Sequence, residues 1–519
     1  MAHQKLPIGL QDFRTIILEG YKYIDKTSFI HRIATGGKFY FLSRPRRFGK
    51  SITIATLQEL YAGSRELFKG LWIEDRWDWN KIHPVVRISF TAIGYQSLGL
   101  KAALEQELHA LAKTHGITLS QQGIGPMLKD LLANLASQNA KVVVLIDEYD
   151  APIINYLGKD IEIAYQNREI LKEFYSILKD ADQLLELVFL TGVSKFSKVG
   201  IFSGLNNLQD ISLHPAYATM LGYTQEELES NFDAEISRAA AQLNLSRQDL
   251  LDKLRFWYNG YRFEENAQSV YNPVSVNLFF DQNKFQNFWF ATGTPTFLIN
   301  LLKQDGLYDF SLTELSQIEF DSFDLEDLRP YGLLYQTGYL TILGLDETGM
   351  YQLGYPNYEV ENSMLAYLLD AFGGVPKGAG LKVALQLERA FEQDSLEQVI
   401  RILQGMFSSL PHHLYEKTPE RFYHAAIHLL FQYMGLRVHS EVCTAEGRAD
   451  AVVETSAKVY VLEFKLDQSA EAALAQIRAK RYHQAFWNLG KPVVGFGINF
   501  SSKTKNVEDW KAESMDGGL

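Results

Sequence analysis

The chain has 519 residues, enough for roughly three to four domains at about 150 residues each, which excludes a single small binding module. Its composition, 46% hydrophobic and 22% charged, excludes a largely disordered chain, and no apolar run approaches the roughly 18 residues of a membrane-spanning helix. The net charge of -12 opposes nucleic-acid binding on average, but the charge is unevenly distributed. Residues 1–60 carry ten basic and four acidic residues (net +6), whereas residues 305–350 carry one basic and ten acidic residues (net -9), so of these two segments the first favours contact with a polyanion and the second opposes it.

The N-terminal part of the chain alternates strands and helices. Strands are predicted at residues 39–42, 85–90, 142–146 and 187–191, with helical patterns at 51–60, 101–114 and 167–179 between them. Such alternation is typical of βαβ units around a mostly parallel sheet. We therefore predict an α/β domain over residues 1–222.

The segment RPRRFGKS lies between the first of these strands and its helix. A P-loop needs this context, because loop amides and a helix N-terminus surround phosphate oxygens while a lysine reaches the terminal phosphates. Arg44 stands where the pattern begins with glycine, and it either contacts phosphates or pairs with local carboxylates, as do Arg46 and Arg47. The predicted nucleotide-binding residues of the loop are Arg46, Arg47, Phe48, Gly49, Lys50, Ser51 and Ile52.

A second motif, KVVVLIDEYD, is an apolar strand that ends in Asp147 and Glu148. This arrangement places one carboxylate at a magnesium ion, here with Ser51, and the next beside an attacking water. The alternative is a buried strand with an exposed acidic end. At the end of the following strand, Thr191 and Ser194 are candidates to sense the terminal phosphate, or else hydroxyls that cap a helix or form a turn.

The middle of the chain predicts two further parts. Residues 223–304 are helical and aromatic, and we interpret them as a helical lid. In YGLLYQTGYLTILGLDETGMYQLGY a helix precedes two alternating strands separated by GLDETGM, which is typical of a hairpin. Together with linker helices after FGGVPKGAG, this predicts a winged-helix-like part over residues 305–410. The last domain is then expected at residues 411–519.

The last domain carries a predicted carboxylate hairpin in GRADAVVETSAKVYVLEFKL. A two-residue turn at Ser456 and Ala457 places Asp450 opposite Glu463. Cross-strand neighbours have Cβ atoms about 4.5–5.5 Å apart, and two carboxylates at that distance favour a cation between them. Lys465 shares a face with Glu463, because alternate residues of a strand lie on one side.

These residues indicate a metal-dependent phosphodiesterase. Hard divalent cations prefer oxygen ligands such as Asp450 and Glu463, and Lys465 is suited to orient a water or to stabilise developing phosphate charge. The alternative is a solvated strand with an ordinary Glu–Lys pair, and a turn longer by one residue would change the pairing. On the next helix Gln476 and Lys480 share a face, where they either touch a nucleic-acid backbone or face solvent.

The chain offers little for a thiolate or histidine metal site. Its single cysteine, Cys443, excludes an internal disulfide and fits a reducing compartment. Glu420, His424 and His428 repeat every four residues without a further ligand, so we interpret the histidines as core or surface residues and Glu420 as at most an orienting group. The first thirty residues lack the features of a secretory signal. We therefore expect a cytoplasmic protein with no membrane partner.

Taken in order, the motifs resemble a bacterial family that joins an AAA-ATPase-like domain to a C-terminal PD-(D/E)XK nuclease-superfamily domain. The resemblance rests on LPIGLQDF, YKYIDKTSF, RPRRFGKS, VVLIDEYDAPI, LTGVSKFSKVGIFSGLNNL, WYNGYRF, YNPVSVNLFF, LGYPNYEV, GRAD, LEFK and QIRAKRY. It implies a P-loop NTPase parallel sheet with a helical and winged-helix-like extension, followed by a restriction-endonuclease-like α/β domain.

The resemblance also implies roles for individual residues. Lys50 and Ser51 correspond to Walker A, Asp147 and Glu148 to Walker B, Asp450, Glu463 and Lys465 to the nuclease triad, and Gln476 to the extra polar residue of the next helix. Tyr23, Asp25 and Lys26 are expected to border the base pocket. Ala449 precedes Asp450 where the superfamily name has proline, a position that varies freely and holds no ligand.

The function that the resemblance implies is ATP binding, with hydrolysis, in control of a metal-dependent nuclease. The expected cofactors are ATP and Mg2+, with Mn2+ as an alternative at the nuclease site, and the expected partner is nucleic acid, DNA in preference to RNA. A homo-oligomer, either ring or dimer, is left open. The alternatives are a signalling ATPase whose C-terminal domain binds nucleic acid without cutting it, and a scaffold that binds nucleotide without turnover.

Overall fold

The computed structural model describes residues 4–137, 140–195, 201–202, 205, 207–289, 296–310, 313–321, 325, 328, 330–373, 379–408, 419–433, 437–438, 442–444 and 447–515. The chain forms two compact units. Unit 1 comprises Met1–Phe297 and Phe310–Glu361, and unit 2 comprises Leu298–Asp309 and Asn362–Leu519. The division into four domains stays a prediction. Among the helices of the described residues, none has the length and apolar character that a bilayer crossing requires.

Unit 1 contains a parallel five-stranded sheet. Its strands are β1 (Phe39–Ser43), β2 (Val85–Ser89), β3 (Val142–Asp147), β4 (Leu185–Gly192) and β5 (Gln209–Asp210), in the order β2-β3-β4-β1-β5. The helices of this part are α1 (Phe13–Leu18), α2 (Thr27–Gly36), α3 (Lys50–Tyr61), α4 (Tyr95–Leu98), α5 (Leu100–Thr114), α6 (Ile124–Ala136), α7 (Ala151–Ile154) and α8 (Ile161–Asp180). β1 and β3 are buried along their whole length, as expected for parallel strands covered on both faces. The predicted α/β alternation is confirmed.

The predicted helical extension follows in unit 1. Its helices are α9 (Gln225–Asn231), α10 (Asp233–Leu243), α11 (Arg247–Tyr258) and α12 (Pro273–Gln282). Thr224 and Glu227 form a capping box at the start of α9, and the Asn272 side chain caps α12, whose first residue is Pro273. The apolar faces of these helices share one buried cluster of leucine, valine and aromatic side chains.

The predicted helix and hairpin are also present in unit 1. The helix before this stretch, α13 (Thr296–Asp305), belongs to unit 2 from Leu298 onward. The elements of the stretch itself are β6 (Thr313–Leu315), α14 (Gln317–Asp321), α15 (Pro330–Thr337), β7 (Thr341–Leu345) and β8 (Tyr351–Gly354). β7 and β8 pair antiparallel, and β6 adds to β8 in the order β6-β8-β7. The Asp346 carboxylate accepts the amides of Thr348 and Met350, which stabilises the turn of the hairpin.

Unit 2 holds the second α/β domain. Its helices are α16 (Tyr358–Gly373, which begins in unit 1), α17 (Ala379–Glu392), α18 (Leu396–Ser408), α19 (Pro419–Tyr433) and α20 (Ala470–Ala479). Its strands are β9 (Arg437–Val438), β10 (Val442–Thr444), β11 (Gly447–Ala449), β12 (Ala451–Glu454), β13 (Val459–Leu466), β14 (Val493–Ser501) and β15 (Asn506–Ser514). The main sheet has the order β15-β14-β13-β12-β9, in which only β13 and β14 are parallel.

One predicted helix of unit 2 is shorter in the structure. The pattern from Ser469 to Trp487 predicts a single helix, but α20 ends at Ala479 and a 3₁₀ helix follows at Tyr482–Leu489. Arg481 has φ 51, and this left-handed conformation ends the α-helix.

Candidate functional site

The phosphate loop connects β1 to α3 at the edge where the carboxyl ends of the parallel strands meet. Gly49 has φ 104, a conformation that favours glycine, and directly precedes the first residue of α3. The Lys50 ammonium donates to the carbonyls of Arg44 at 2.8 Å and Pro45 at 2.9 Å. Burial lowers the pKa of Lys50 to about 8, although the negative charge of Asp147 acts to raise it. The loop thus wraps around the lysine predicted to bind phosphate.

The arginines of the loop differ in their surroundings. Arg44 is 1% exposed, and its guanidinium donates to three backbone carbonyls, those of Ser43, Ser212 and Tyr217. Burial lowers the pKa of Arg44 to about 10. The hydrogen bonds of its guanidinium therefore go to backbone carbonyls rather than to the local carboxylates considered from the sequence. Arg46 and Arg47 are exposed, and their contact with phosphates stays a prediction.

Two acidic residues lie at the end of β3, as the sequence predicts: Asp147 is the last residue of the strand and Glu148 follows it. Asp147 is 2% exposed, and its Oδ1 has no hydrogen-bond partner within the described part of the chain. Burial raises the pKa of Asp147, although a hydrogen bond from the Ser51 side chain acts to lower it. A buried carboxylate oxygen without a partner is costly, and a cation held by Asp147 and Ser51 would satisfy it.

The Glu148 side chain has a partner that the sequence analysis missed. Its carboxylate accepts a hydrogen bond from the Thr91 hydroxyl. Thr91 follows the end of β2, the strand paired with β3, so its position after a neighbouring strand was the available signal. Glu148 also has φ 53, which turns the chain sharply after Asp147.

A buried carboxylate not predicted from the sequence, Asp150, distinguishes the two candidate hydroxyls. Its Oδ2 accepts the amide and the hydroxyl of Ser194, each at 2.7 Å, and the amide of Val193 at 3.1 Å. The Thr191 hydroxyl is fully buried and has no partner among the residues described. In the β3–β4 register its position is adjacent to that of Asp147. Ser194 therefore has a structural partner, whereas a contact of the Thr191 hydroxyl with the terminal phosphate stays a prediction.

We expect substitutions of these hydroxyls to have opposite effects. Thr191→Val should lower ATP turnover by about tenfold or more, and should leave stability unchanged or slightly raised because it removes a buried hydroxyl without a partner. Ser194→Ala should lower the free energy of unfolding by about 1–3 kcal/mol with little effect on turnover, because Asp150 loses a buried hydrogen bond. Urea denaturation and steady-state ATP hydrolysis measure both quantities. The reverse pattern would contradict this assignment.

A cavity of about 80 Å3 lies beside the phosphate loop and α3. Its wall includes Tyr23, Lys26, Phe48, Gly49, Ile52 and Tyr223. The Lys26 ammonium donates to the Thr219 carbonyl at 2.9 Å and to the Glu227 carboxylate at 2.7 Å. The Asp25 carboxylate instead accepts the amide of Thr27 at the start of α2. The cavity thus adjoins two of the three residues expected at the base pocket.

The hairpin of β12 and β13 has the predicted register. Ala451 pairs with Leu462 and Glu454 pairs with Val459, so the turn at Ser456 and Ala457 has two residues and the prediction is confirmed. Asp450 directly precedes β12, and its Oδ2 accepts the amide of Phe464 at 2.7 Å. The turn length thereby brings Asp450 to the segment of β13 that carries Glu463.

The four predicted nuclease residues lie together in unit 2. Glu463 is 2% exposed, its Oε1 accepts the Lys465 ammonium at 2.8 Å, and its Oε2 has no partner in the described part of the chain. Lys465 also donates to Gln476 Oε1 at 2.7 Å. Burial and, after it, the charge of Asp450 raise the pKa of Glu463 to about 7, although Lys465 acts to lower it. A divalent cation between Asp450 and Glu463 would satisfy the unpaired oxygen and remove the repulsion.

Each candidate metal site offers few protein ligands. The described residues contain no group of three or more His, Cys, Asp or Glu side chains that could hold a metal ion. Ser51 with Asp147, and Asp450 with Glu463, are therefore pairs. Mg2+ typically binds one or two carboxylates and keeps several waters, so such pairs fit this ion.

The raised pKa of Glu463 predicts that metal binding depends on pH. Without metal, the folded state holds a proton that the unfolded chain releases near pH 4.5, so this contribution to stability is complete below about pH 4.5 and is lost as pH rises through about 7. Mg2+ needs the ionised carboxylate and must displace this proton. We expect Mg2+ affinity to weaken by about tenfold per pH unit below pH 7 and to level off above it.

The measurement is the Mg2+-induced shift in unfolding temperature between pH 5.5 and pH 8, with Glu463→Gln as the control that lacks the titrating group. An affinity that stays constant across this range in the unmodified chain would contradict the prediction.

Four further residues of unit 2 were considered from the sequence: Lys480, Glu420, His424 and His428. Lys480 is exposed at the end of α20, consistent with either interpretation of this residue. His428 is buried, with its ring 5.4 Å from that of Tyr308, and is a core histidine. The side chains of Glu420 and His424 lie outside the described residues.

Comparison with known proteins identifies both domains. The family model "Predicted AAA-ATPase" matches residues 7–202, and "PD-(D/E)XK nuclease superfamily" matches residues 418–510. Among solved structures, the chain is similar to Cdc6p from Pyrobaculum aerophilum (13% identity, TM-score 0.27, covering 69% of this chain and 92% of that chain). It is also similar to the Aeropyrum pernix Orc1 protein in complex with DNA (12% identity, TM-score 0.23, covering 68% and 95%). At these TM-scores the two likenesses carry no argument about this chain.

A full-length relative gives the family. An Azotobacter chroococcum mcd 1 protein described as "Uncharacterized protein in vnfD 5'region" is 36% identical over 530 residues, which cover 99% of this chain and all of that protein. The chain therefore belongs to the same family as this Azotobacter protein, and it combines an AAA-ATPase-like domain with a PD-(D/E)XK nuclease-superfamily domain.

Proposed function

We propose that the chain binds and hydrolyses ATP and thereby controls a divalent-metal-dependent nuclease. The observation that carries this proposal is the convergence of Asp450, Glu463, Lys465 and Gln476, with one buried oxygen of Glu463 that has no partner among the residues the structure describes. A solvated strand with an ordinary Glu–Lys pair would not bury Glu463 to 2% exposure beside a second carboxylate.

In the nuclease site, Asp450 and Glu463 would hold Mg2+ or Mn2+. When bound, such an ion neutralises phosphodiester charge and activates water. Lys465 is held between Glu463 and Gln476, so its ammonium is oriented before a substrate arrives. Its charge would stabilise the additional negative charge on the phosphate in the transition state. Gln476 acts through Lys465 and is therefore a positioning residue.

In the ATP site, the proposed roles belong to residues at the carboxyl ends of the parallel strands. Lys50 and the loop amides would bind phosphates, while Ser51 and Asp147 would hold Mg2+. Glu148 would orient the attacking water, with its side chain fixed by Thr91. The Thr191 hydroxyl would contact the terminal phosphate.

The coupling between the two activities is part of the proposal. Both residue sets lie in one chain, the ATP-site residues in unit 1 and the nuclease residues in unit 2. The proposed partner is nucleic acid, DNA in preference to RNA, in the cytoplasm. A homo-oligomer of the ATPase is compatible with this scheme.

The test is a cleavage assay with the purified chain on supercoiled plasmid, single-stranded DNA and RNA, with and without Mg2+ or Mn2+ and ATP. We expect metal-dependent cutting of DNA at a rate that changes with ATP. ATP turnover and nucleic-acid binding without any cutting would instead favour a signalling ATPase that binds nucleic acid. The proposal would be overturned if the chain showed no cutting and no ATP turnover under any of these conditions.

A further inference from the structure

We infer that Trp289 and Glu359 form a clasp that positions the phosphate loop for nucleotide binding. The inference rests on the proposed ATP-binding function and adds two positioning residues to it, neither of which belongs to a predicted nucleotide motif. Both lie in unit 1, far from the loop in sequence.

The first contact of the clasp is made to the main chain of the loop. The Trp289 indole N–H donates to the carbonyl of Arg46 at 3.2 Å. Trp289 is 7% exposed, and its ring lies 5.4 Å from that of Tyr339. A Cβ added at Gly338 would lie 2.7 Å from Pro45 and 3.2 Å from the Trp289 ring, so the loop and the indole are closely packed there. The hydrogen bond is therefore held in a tight environment.

The position of this contact matters for phosphate binding. A trans peptide is planar with its C=O and N–H on opposite sides, so fixing the Arg46 carbonyl also fixes the direction of the Arg47 N–H. Arg47 has φ 69, which is uncommon for a residue other than glycine, and Gly49 has φ 104. Successive amides in such conformations form concave anion-binding sites. Trp289 thus holds the peptide unit whose amide would face the phosphates.

The second contact fixes Trp289 itself. The Glu359 carboxylate accepts the Trp289 amide at 2.6 Å and the Ser275 hydroxyl at 2.7 Å. Glu359 is 1% exposed and is the second residue of α16, while Ser275 lies in the first turn of α12. A buried carboxylate with two short hydrogen bonds holds its partners firmly. Through Glu359, the main chain of Trp289 is therefore linked to α16 and α12, while its indole contacts the loop.

The aromatic contacts of Phe48 in the loop are of a different kind. Phe48 packs on Tyr261, with ring centres 4.8 Å apart, and on Phe263 at 5.4 Å. Such apolar packing holds the loop in place without fixing the direction of a peptide group. The hydrogen bond from Trp289 is directional, so its loss should alter phosphate binding more than folding.

The experiment compares two Trp→Phe substitutions in the full chain. Trp289→Phe removes the bond to Arg46, and Trp79→Phe removes a comparable bond, since the Trp79 indole donates to the Glu74 carbonyl at 2.7 Å from a partly buried position. ATP affinity with Mg2+ is measured by calorimetry, and unfolding temperature without nucleotide reports the fold. We expect Trp289→Phe to raise the Kd for ATP by about 5- to 10-fold and Trp79→Phe to leave it unchanged.

Glu359 gives an independent test from the other end of the clasp. Glu359→Gln keeps an oxygen that can accept the Trp289 amide and should bind ATP nearly as well as the unmodified chain, whereas Glu359→Ala should weaken binding at least as much as Trp289→Phe. Unchanged affinity in both Trp289→Phe and Glu359→Ala, with ATP binding by the unmodified chain, would overturn the clasp alone. Failure of the unmodified chain to bind ATP would overturn the proposed function and the clasp with it.

Discussion

Asp450→Ala is expected to abolish metal-dependent cleavage, lowering the rate by at least about 10³-fold. Asp450 is one of the two carboxylates that would hold the divalent cation, and one oxygen of the other, Glu463, is already paired with Lys465. The measurement is the rate of plasmid nicking with Mg2+ under conditions in which the unmodified chain cuts. Metal affinity, from the Mg2+-induced shift in unfolding temperature, should fall in parallel.

Two controls separate charge from folding in this prediction. Asp450→Asn keeps an oxygen for the Phe464 amide and should fold normally but lose cleavage as Asp450→Ala does. Asp467→Asn neutralises an exposed carboxylate just after β13 that accepts the Ser502 amide, and should cut at the unmodified rate. Full cleavage by Asp450→Asn would contradict the assignment of Asp450 as a metal ligand.

Glu148→Gln is expected to reduce ATP hydrolysis by about 10²- to 10³-fold while ATP binding is retained. The amide keeps the size of the side chain but loses the charge that would orient the attacking water. Binding should persist because the predicted phosphate and metal contacts belong to Lys50, Ser51 and Asp147. Steady-state phosphate release and calorimetric ATP affinity measure the two effects separately.

The control for this second prediction is Glu162→Gln, an exposed glutamate in the first turn of α8. It should hydrolyse ATP at the unmodified rate. If Glu148→Gln also turned over normally, hydrolysis would not depend on the residue after Asp147. If it lost binding as well, Glu148 would act in holding nucleotide rather than in positioning water.

The amino-acid sequence alone determined the local parts of this protein. The strand, loop and helix around Lys50 were predictable because their signals lie in one continuous stretch, from Phe39 to Tyr61. The pairing of β12 with β13 was predictable because a two-residue turn sets the register of every residue beyond it, and so placed Asp450 near Glu463. The resemblance to a known family then assigned roles to individual residues, which the hydrophobic pattern of the sequence does not specify.

The tertiary structure decided the contacts that support these sites. Thr91 and Glu148, which form a hydrogen bond, are 57 residues apart in the sequence, and Asp150 and Ser194 are 44 apart. Trp289 is 243 residues from Arg46, the loop residue to which it donates. No local pattern specifies such partners, because each depends on which strands are neighbours in the sheet and on where the helical extension packs. The sequence therefore identified the residues that would do the chemistry, while only the fold shows which side chains hold them in place.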